Sequence, residues 1–88
     1  MTMIVGGNLE QLQALEQQLQ ADAQTVRDLQ ARISSVLGGT TWTGPASERF
    51  RAEWTQSFGP ALGHLGEALS QNAGVVRSRK AAIQQATF

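Results

Sequence analysis

Gly38-Gly39-Thr40-Thr41-Trp42-Thr43-Gly44-Pro45 decides the fold, because it breaks a helix-rich chain almost at its midpoint. Paired glycines end a helix readily. Gly-Pro opens one, since proline at the first helical position has no N–H to leave unbonded. Only a few residues separate the stop from the start, and helices joined so closely lie antiparallel. The sequence therefore predicts an all-α chain: a two-helix antiparallel hairpin whose bend carries one large aromatic side chain.

Upstream of the bend, Asn8 followed by Gln11 makes a capping-box pattern, and Glu10 sits where the helix dipole favours an anion. Leu12, Leu15, Leu19, Val26, Leu29, Ile33 and Val36 follow the three-and-four spacing of a heptad seam, broken only by Asp22. Downstream, Ala46, Phe50, Trp54 and Phe58 recur every fourth residue, which predicts one apolar ridge near the bend. The seam continues as Leu62, Leu65, Leu69, Asn72, Val76, Arg79 and Ile83. Gly59-Pro60 interrupts it and predicts a kink. Gly63, Gly66 and Gly74 each weaken the helix by roughly 1 kcal/mol relative to alanine. Packing has to hold this arm. The expected boundaries are helix one at about 8–38, a turn at 39–44, helix two at about 45–80 and a flexible tail at 81–88. Helix two outlasts helix one, so the tail is expected to project from Lys80.

A chain of 88 residues is one small domain, and a hairpin has a single internal seam. With no cysteine there is no disulfide to add stability, so association with another chain is expected. Seven basic and seven acidic residues sum to zero, which argues against nucleic-acid partners and anionic membranes. No apolar run is long enough to span a bilayer, so no stable membrane insertion is expected. Met1–Val5 lacks the basic start and the length of a signal peptide.

His64 is the single histidine, which rules out zinc sites of ordinary spacing; the lack of cysteine rules out a Cys-His nucleophile. The carboxylates are scattered and no phosphate-cradling glycine loop is present. The chain reads as a non-enzyme with no cofactor and no metal. Arg77, Arg79 and Lys80 form a basic cluster, expected to pair with Glu10 or to be solvated. Asp22 and Asn72 fall on apolar seams, where a polar residue can fix register or partner.

Trp42-x-Gly44 between two such helices, followed by Ala46, Phe50 and Trp54, resembles the WXG family of ESAT-like (early secreted antigen) proteins. These are small substrates of type VII secretion in actinobacteria and firmicutes. The resemblance covers essentially the whole chain. It implies a four-helix bundle of two hairpins packed antiparallel, either as a homodimer or with a paralogous WXG-type hairpin. It also implies export without a cleavable signal peptide by a machine containing an FtsK/SpoIIIE-type ATPase, which reads the C-terminal tail. Under this reading Trp42 and Gly44 form the turn motif, Trp42 chiefly as a packing residue. Leu12, Leu15, Leu19, Val26, Leu29, Ile33, Phe50, Trp54, Phe58, Leu62, Leu65 and Leu69 supply the core or dimer interface.

The family's Tyr-x-x-x-Asp/Glu element has no counterpart, since the chain has no tyrosine. Val76 stands where the aromatic would be and Lys80 where the acid would be. The export signal is then carried by the tail, with Val76, Ile83 and Phe88 as apolar anchors, or its missing element comes from the dimer partner. Two other readings fit the same residues: an escort for a larger effector or toxin, and a cytoplasmic coiled-coil adaptor unrelated to secretion.

Overall fold

A computed structural model describes residues 7–86. Its elements are α1 (Leu9–Gly39), α2 (Pro45–Glu53), a wide π-helical turn (Trp54–Phe58) and α3 (Gly59–Ala86), with no strand among the described residues. The second arm, formed by α2, the wide turn and α3, folds back along α1 as a helical hairpin.

Both ends of α1 are closed locally. The Asn8 side chain accepts from the Gln11 N–H at 3.0 Å, as the capping pattern predicts. At the other end Gly38 and Gly39 stay inside the helix, and extended Thr40 stops it with its N–H on the Leu37 carbonyl. The glycine that needs its conformational freedom is Gly44. At φ 114° and ψ 174° it occupies a region essentially closed to side chains, and it caps the helix that Pro45 begins.

The hairpin measures 65 × 22 × 13 Å, with a radius of gyration of 19.5 Å. A compact chain of this length would have about 12 Å. The 13 Å thickness is close to one helix diameter, so the molecule is a single layer and each helix has one neighbour.

Three rows run along each helix, each repeating every seventh residue. A middle row is half-buried: Leu12, Leu19, Val26 and Ile33 on α1, and Leu62, Leu69, Val76 and Ile83 on α3. On one side of it lies the row turned into the hairpin. This row holds Glu16, Ala23, Gln30 and Leu37 on α1, and Gly59, Gly66, Ala73 and Lys80 on α3. Small residues dominate at the centre. A Cβ on Gly66 would sit 3.7 Å from the Ala23 carbonyl oxygen, so the backbones approach closely there.

Two boundary expectations are corrected. The second arm does not end near Lys80 but stays helical to Ala86. Lys80 does not project either: its ammonium donates to Gln13 and Glu16 of α1, and Ile83 beyond it is half-buried. Phe88, like Met1–Val5, lies outside the described residues.

The expected ridge of Ala46, Phe50, Trp54 and Phe58 also comes apart. Trp54 is buried, whereas Ala46, Phe50 and Phe58 are exposed. For Phe58 the wide turn is the cause, because its Gly59 N–H bonds the Trp54 carbonyl five residues back. That extra residue rotates Gly59 inward in place of Phe58. Pro60 has no N–H and its ring crowds the carbonyl four residues earlier, so a normal turn is disfavoured there. The interruption expected at Gly59-Pro60 therefore takes the form of a widened turn. A side chain at 59 would place Cβ 2.9 Å from the Trp54 carbonyl oxygen.

Candidate functional site

The bend is held by a network centred on Arg51. Its guanidinium donates to the Leu37 carbonyl at 2.8 Å, the Thr40 carbonyl at 3.0 Å and the Ser47 hydroxyl at 3.0 Å. The last carbonyls of α1 have no partner within their own helix, and a cation there complements the helix dipole. Ser47, fully enclosed, donates a hydrogen bond from its hydroxyl to the Trp42 carbonyl at 2.9 Å. The peptide between Trp42 and Gly44 is thus tied to both helices. Neither Arg51 nor Ser47 figures in the sequence reading. Their four-residue spacing, with both on the inner side of α2, is the signal that would have marked them.

Trp42 itself is not enclosed. It stays 43% exposed, and its ring meets that of Phe50 at 6.2 Å between centroids, tilted 49°. Beside it Arg32, Ile33, Val36, Leu37, Thr40 and Phe50 line an open groove of about 300 Å³. Trp54 does the packing expected of Trp42: only 8% exposed, it inserts between the arms and donates from Nε1 to Ser34.

Polar groups hold the opposite end. Glu16 accepts from Arg77 Nε at 3.0 Å and Lys80 Nζ at 2.9 Å, its side chain 11% exposed. The Lys80 hydrogen bond holds the Glu16 carboxyl below the usual carboxylate range; burial opposes this and Arg77 adds to it. Arg77 and Lys80 of the basic cluster therefore pair with Glu16, not with Glu10, while Arg79 is exposed. Midway, Arg27 donates to Ser70 and Gln30 to the Gly59 carbonyl, which fixes the antiparallel register.

The third row is the outward one. On α1 it holds Leu15, Asp22, Leu29 and Val36, and on the second arm Phe58, at the end of the wide turn, followed by Leu65, Asn72 and Arg79 of α3. Both outward rows lie on the same side of their middle rows. Antiparallel helices wind in opposite senses when viewed from one end, so both rows reach the same broad face. In the register set by the cross-links, Val36 lies level with Phe58, Leu29 with Leu65, Asp22 with Asn72 and Leu15 with Arg79. The apolar members are open to solvent: Leu15 is 45% exposed, Leu65 48%, Phe58 48% and Val36 62%. Asp22 accepts from Gln18 and Asn72 donates to the Ala68 carbonyl, so both polar interruptions are tied to their own helix.

The predicted interface residues thus divide. Leu12, Leu19, Val26, Ile33, Leu62 and Leu69 are shared between the hairpin seam and the outer face, while Leu15, Leu29, Phe50, Phe58 and Leu65 belong to the outer face. Val76 and Ile83 line the seam end of α3. His64 is exposed, and no helix of the described residues is long and apolar enough to cross a membrane. No family model, curated protein or solved structure matches the chain.

Proposed function

We propose that this chain is a small substrate of a type VII secretion system, working as one half of a dimeric four-helix bundle and not as a catalyst. The observation that carries the reading is a hairpin closed at a Trp-x-Gly bend with one broad apolar face bare. A single layer leaves that face in water, and a second hairpin laid over it would convert two exposed sheets of leucine into a core. Its placement with the bends at opposite ends follows from the family resemblance. The export signal is assigned to the end of the second arm, with Val76, Ile83 and Phe88 as anchors for an FtsK/SpoIIIE-type ATPase. Because Ile83 is half-buried on α1, docking there takes its open side or the loosening of the last helical turn.

The test is export. The chain is expressed in a bacterium with an active type VII system and in the same strain lacking the ATPase. Intact-mass analysis of the medium should find the unprocessed chain only in the first. Equal release from both strains, or full retention in the cells, refutes the secretion reading and leaves a cytoplasmic adaptor.

A further inference from the structure

Glu16 is the one charged side chain that is buried among the described residues. Farther along the same inward row the seam closes on small residues, with Ala23 against Gly66. A buried ion pair adds little net stability over a well-packed apolar contact, because removing charges from water offsets most of their attraction. It does allow exchange, since a cation can pass from one carboxylate to another without standing unpaired. The partners of Glu16 sit at the end of the second arm. Arg77 Nε lies 3.0 Å and Lys80 Nζ 2.9 Å from its two carboxylate oxygens. Val76, Lys80 and Ile83 succeed one another at spacings of four and three, so they share one stripe of α3, and all three are half-buried. The hold on Lys80 therefore turns toward α1 the same stripe that supplies the apolar anchors Val76 and Ile83.

We infer that Glu16 is an autoinhibitory catch, which withholds the stripe of Val76, Lys80 and Ile83 until a partner bearing its own carboxylate takes over Arg77 and Lys80. The inference rests on the docking site of the proposed function. Two observations favour an acidic partner. The second arm has no acidic residue after Glu67, whereas Arg77, Arg79 and Lys80 give it three cations. The Arg77 side chain stays 61% exposed while bonded to Glu16, and that of Lys80 only 17%. An approaching carboxylate thus meets Arg77 first and reaches Lys80 as the catch opens. The bend, fastened by Arg51 and Trp54 at the other end of the hairpin, takes no part.

Two variants of the full-length chain test this. Glu16→Gln keeps the size of the side chain and removes its charge, while Arg77→Gln removes the cation that a partner meets first. Both loosen the catch, so hydrogen exchange read by mass spectrometry should quicken over 76–86 in each. In Glu16→Gln the increase there should exceed that around Ser34 and Trp54 by at least about tenfold. Affinity for the purified soluble domains of the type VII ATPase should then move in opposite directions. Glu16→Gln, with its stripe already free, should bind roughly tenfold tighter than wild type. Arg77→Gln, without the contact for the partner's carboxylate, should bind roughly threefold weaker. Exchange that quickens by one factor along the whole hairpin, or not at all, overturns the inference. So do measurable affinities that are equal or that shift in the same direction. Local quickening with no binding by any of the three chains upholds the catch and refutes the ATPase as its reader, which tells the two failures apart.

Discussion

The indole Nε1 of Trp54 donates to the Ser34 hydroxyl at 3.0 Å, which bridges the wide turn of the second arm to the last third of α1. Among the described apolar side chains larger than alanine, Trp54 alone is buried. Trp54→Ala removes both a ring and a cross-arm hydrogen bond and should cost about 3–5 kcal/mol. Trp54→Phe keeps most of the packing and should cost about 1–2 kcal/mol, with a further Ser34→Ala then adding little. Urea unfolding followed by circular dichroism at one fixed protein concentration measures each step. A loss for Trp54→Ala no greater than that for exposed Trp42→Ala contradicts the assignment.

Gly44 carries a second prediction. Its backbone at φ 114°, ψ 174° leaves open space where a Cβ would go, so the obstacle is torsional and not steric crowding by neighbours. Gly44→Ala should therefore destabilise the hairpin by about 1–3 kcal/mol. Gly74 has the same open surroundings in ordinary helix, so Gly74→Ala should instead stabilise by up to about 1 kcal/mol. Opposite shifts in midpoint are the expected result. Equal shifts would mean that the bend does not hold this conformation.

Acid sensitivity follows from Glu16. Its folded-state pKa lies below the ordinary value, chiefly through the Lys80 hydrogen bond and then through Arg77. The group's contribution is then fully present above the unfolded carboxylate value and is lost as pH falls through the lower folded one. Urea midpoints should be insensitive to this group from pH 7 to about 5.5 and decline below about 4.5. In Glu16→Gln the neutral-pH midpoint should drop and the acid decline become shallower. An unchanged acid slope in that variant would show that the Lys80 and Arg77 contacts are not formed in solution.

The hairpin, its bend and the start of each arm are legible in the chain because capping, glycine pairs and Gly-Pro act within a few residues of themselves. Which stripe turns inward is not. Leu15 and Glu16 flank the middle row equally, and hydropathy alone chooses Leu15. The structure chooses Glu16 because its partners Arg77 and Lys80 arrive from the other arm, beyond the reach of any local pattern. Likewise the four-residue recurrence of Phe50, Trp54 and Phe58 reads as one ridge until the π turn adds its extra residue. Arg51 escapes notice for a related reason: its acceptors are main-chain carbonyls, which sequence does not label.

The outward row gives the last prediction. Leu65 is 48% exposed in the hairpin, so Leu65→Asp removes little from the folded single chain. In a four-helix bundle the same leucine is enclosed, and burying it is worth about 1.5–3 kcal/mol before the added cost of a buried charge. The variant should keep its helical circular dichroism at high concentration while its dimer dissociation constant rises at least about tenfold. Leu69→Asp, on the row shared with the hairpin seam, should lower both helicity and association. The contrast separates face from seam: a bare face used for association responds to Leu65 in sedimentation and not in helicity. If Leu65→Asp leaves the mass distribution of the wild type unchanged across micromolar dilution, no second hairpin covers this face.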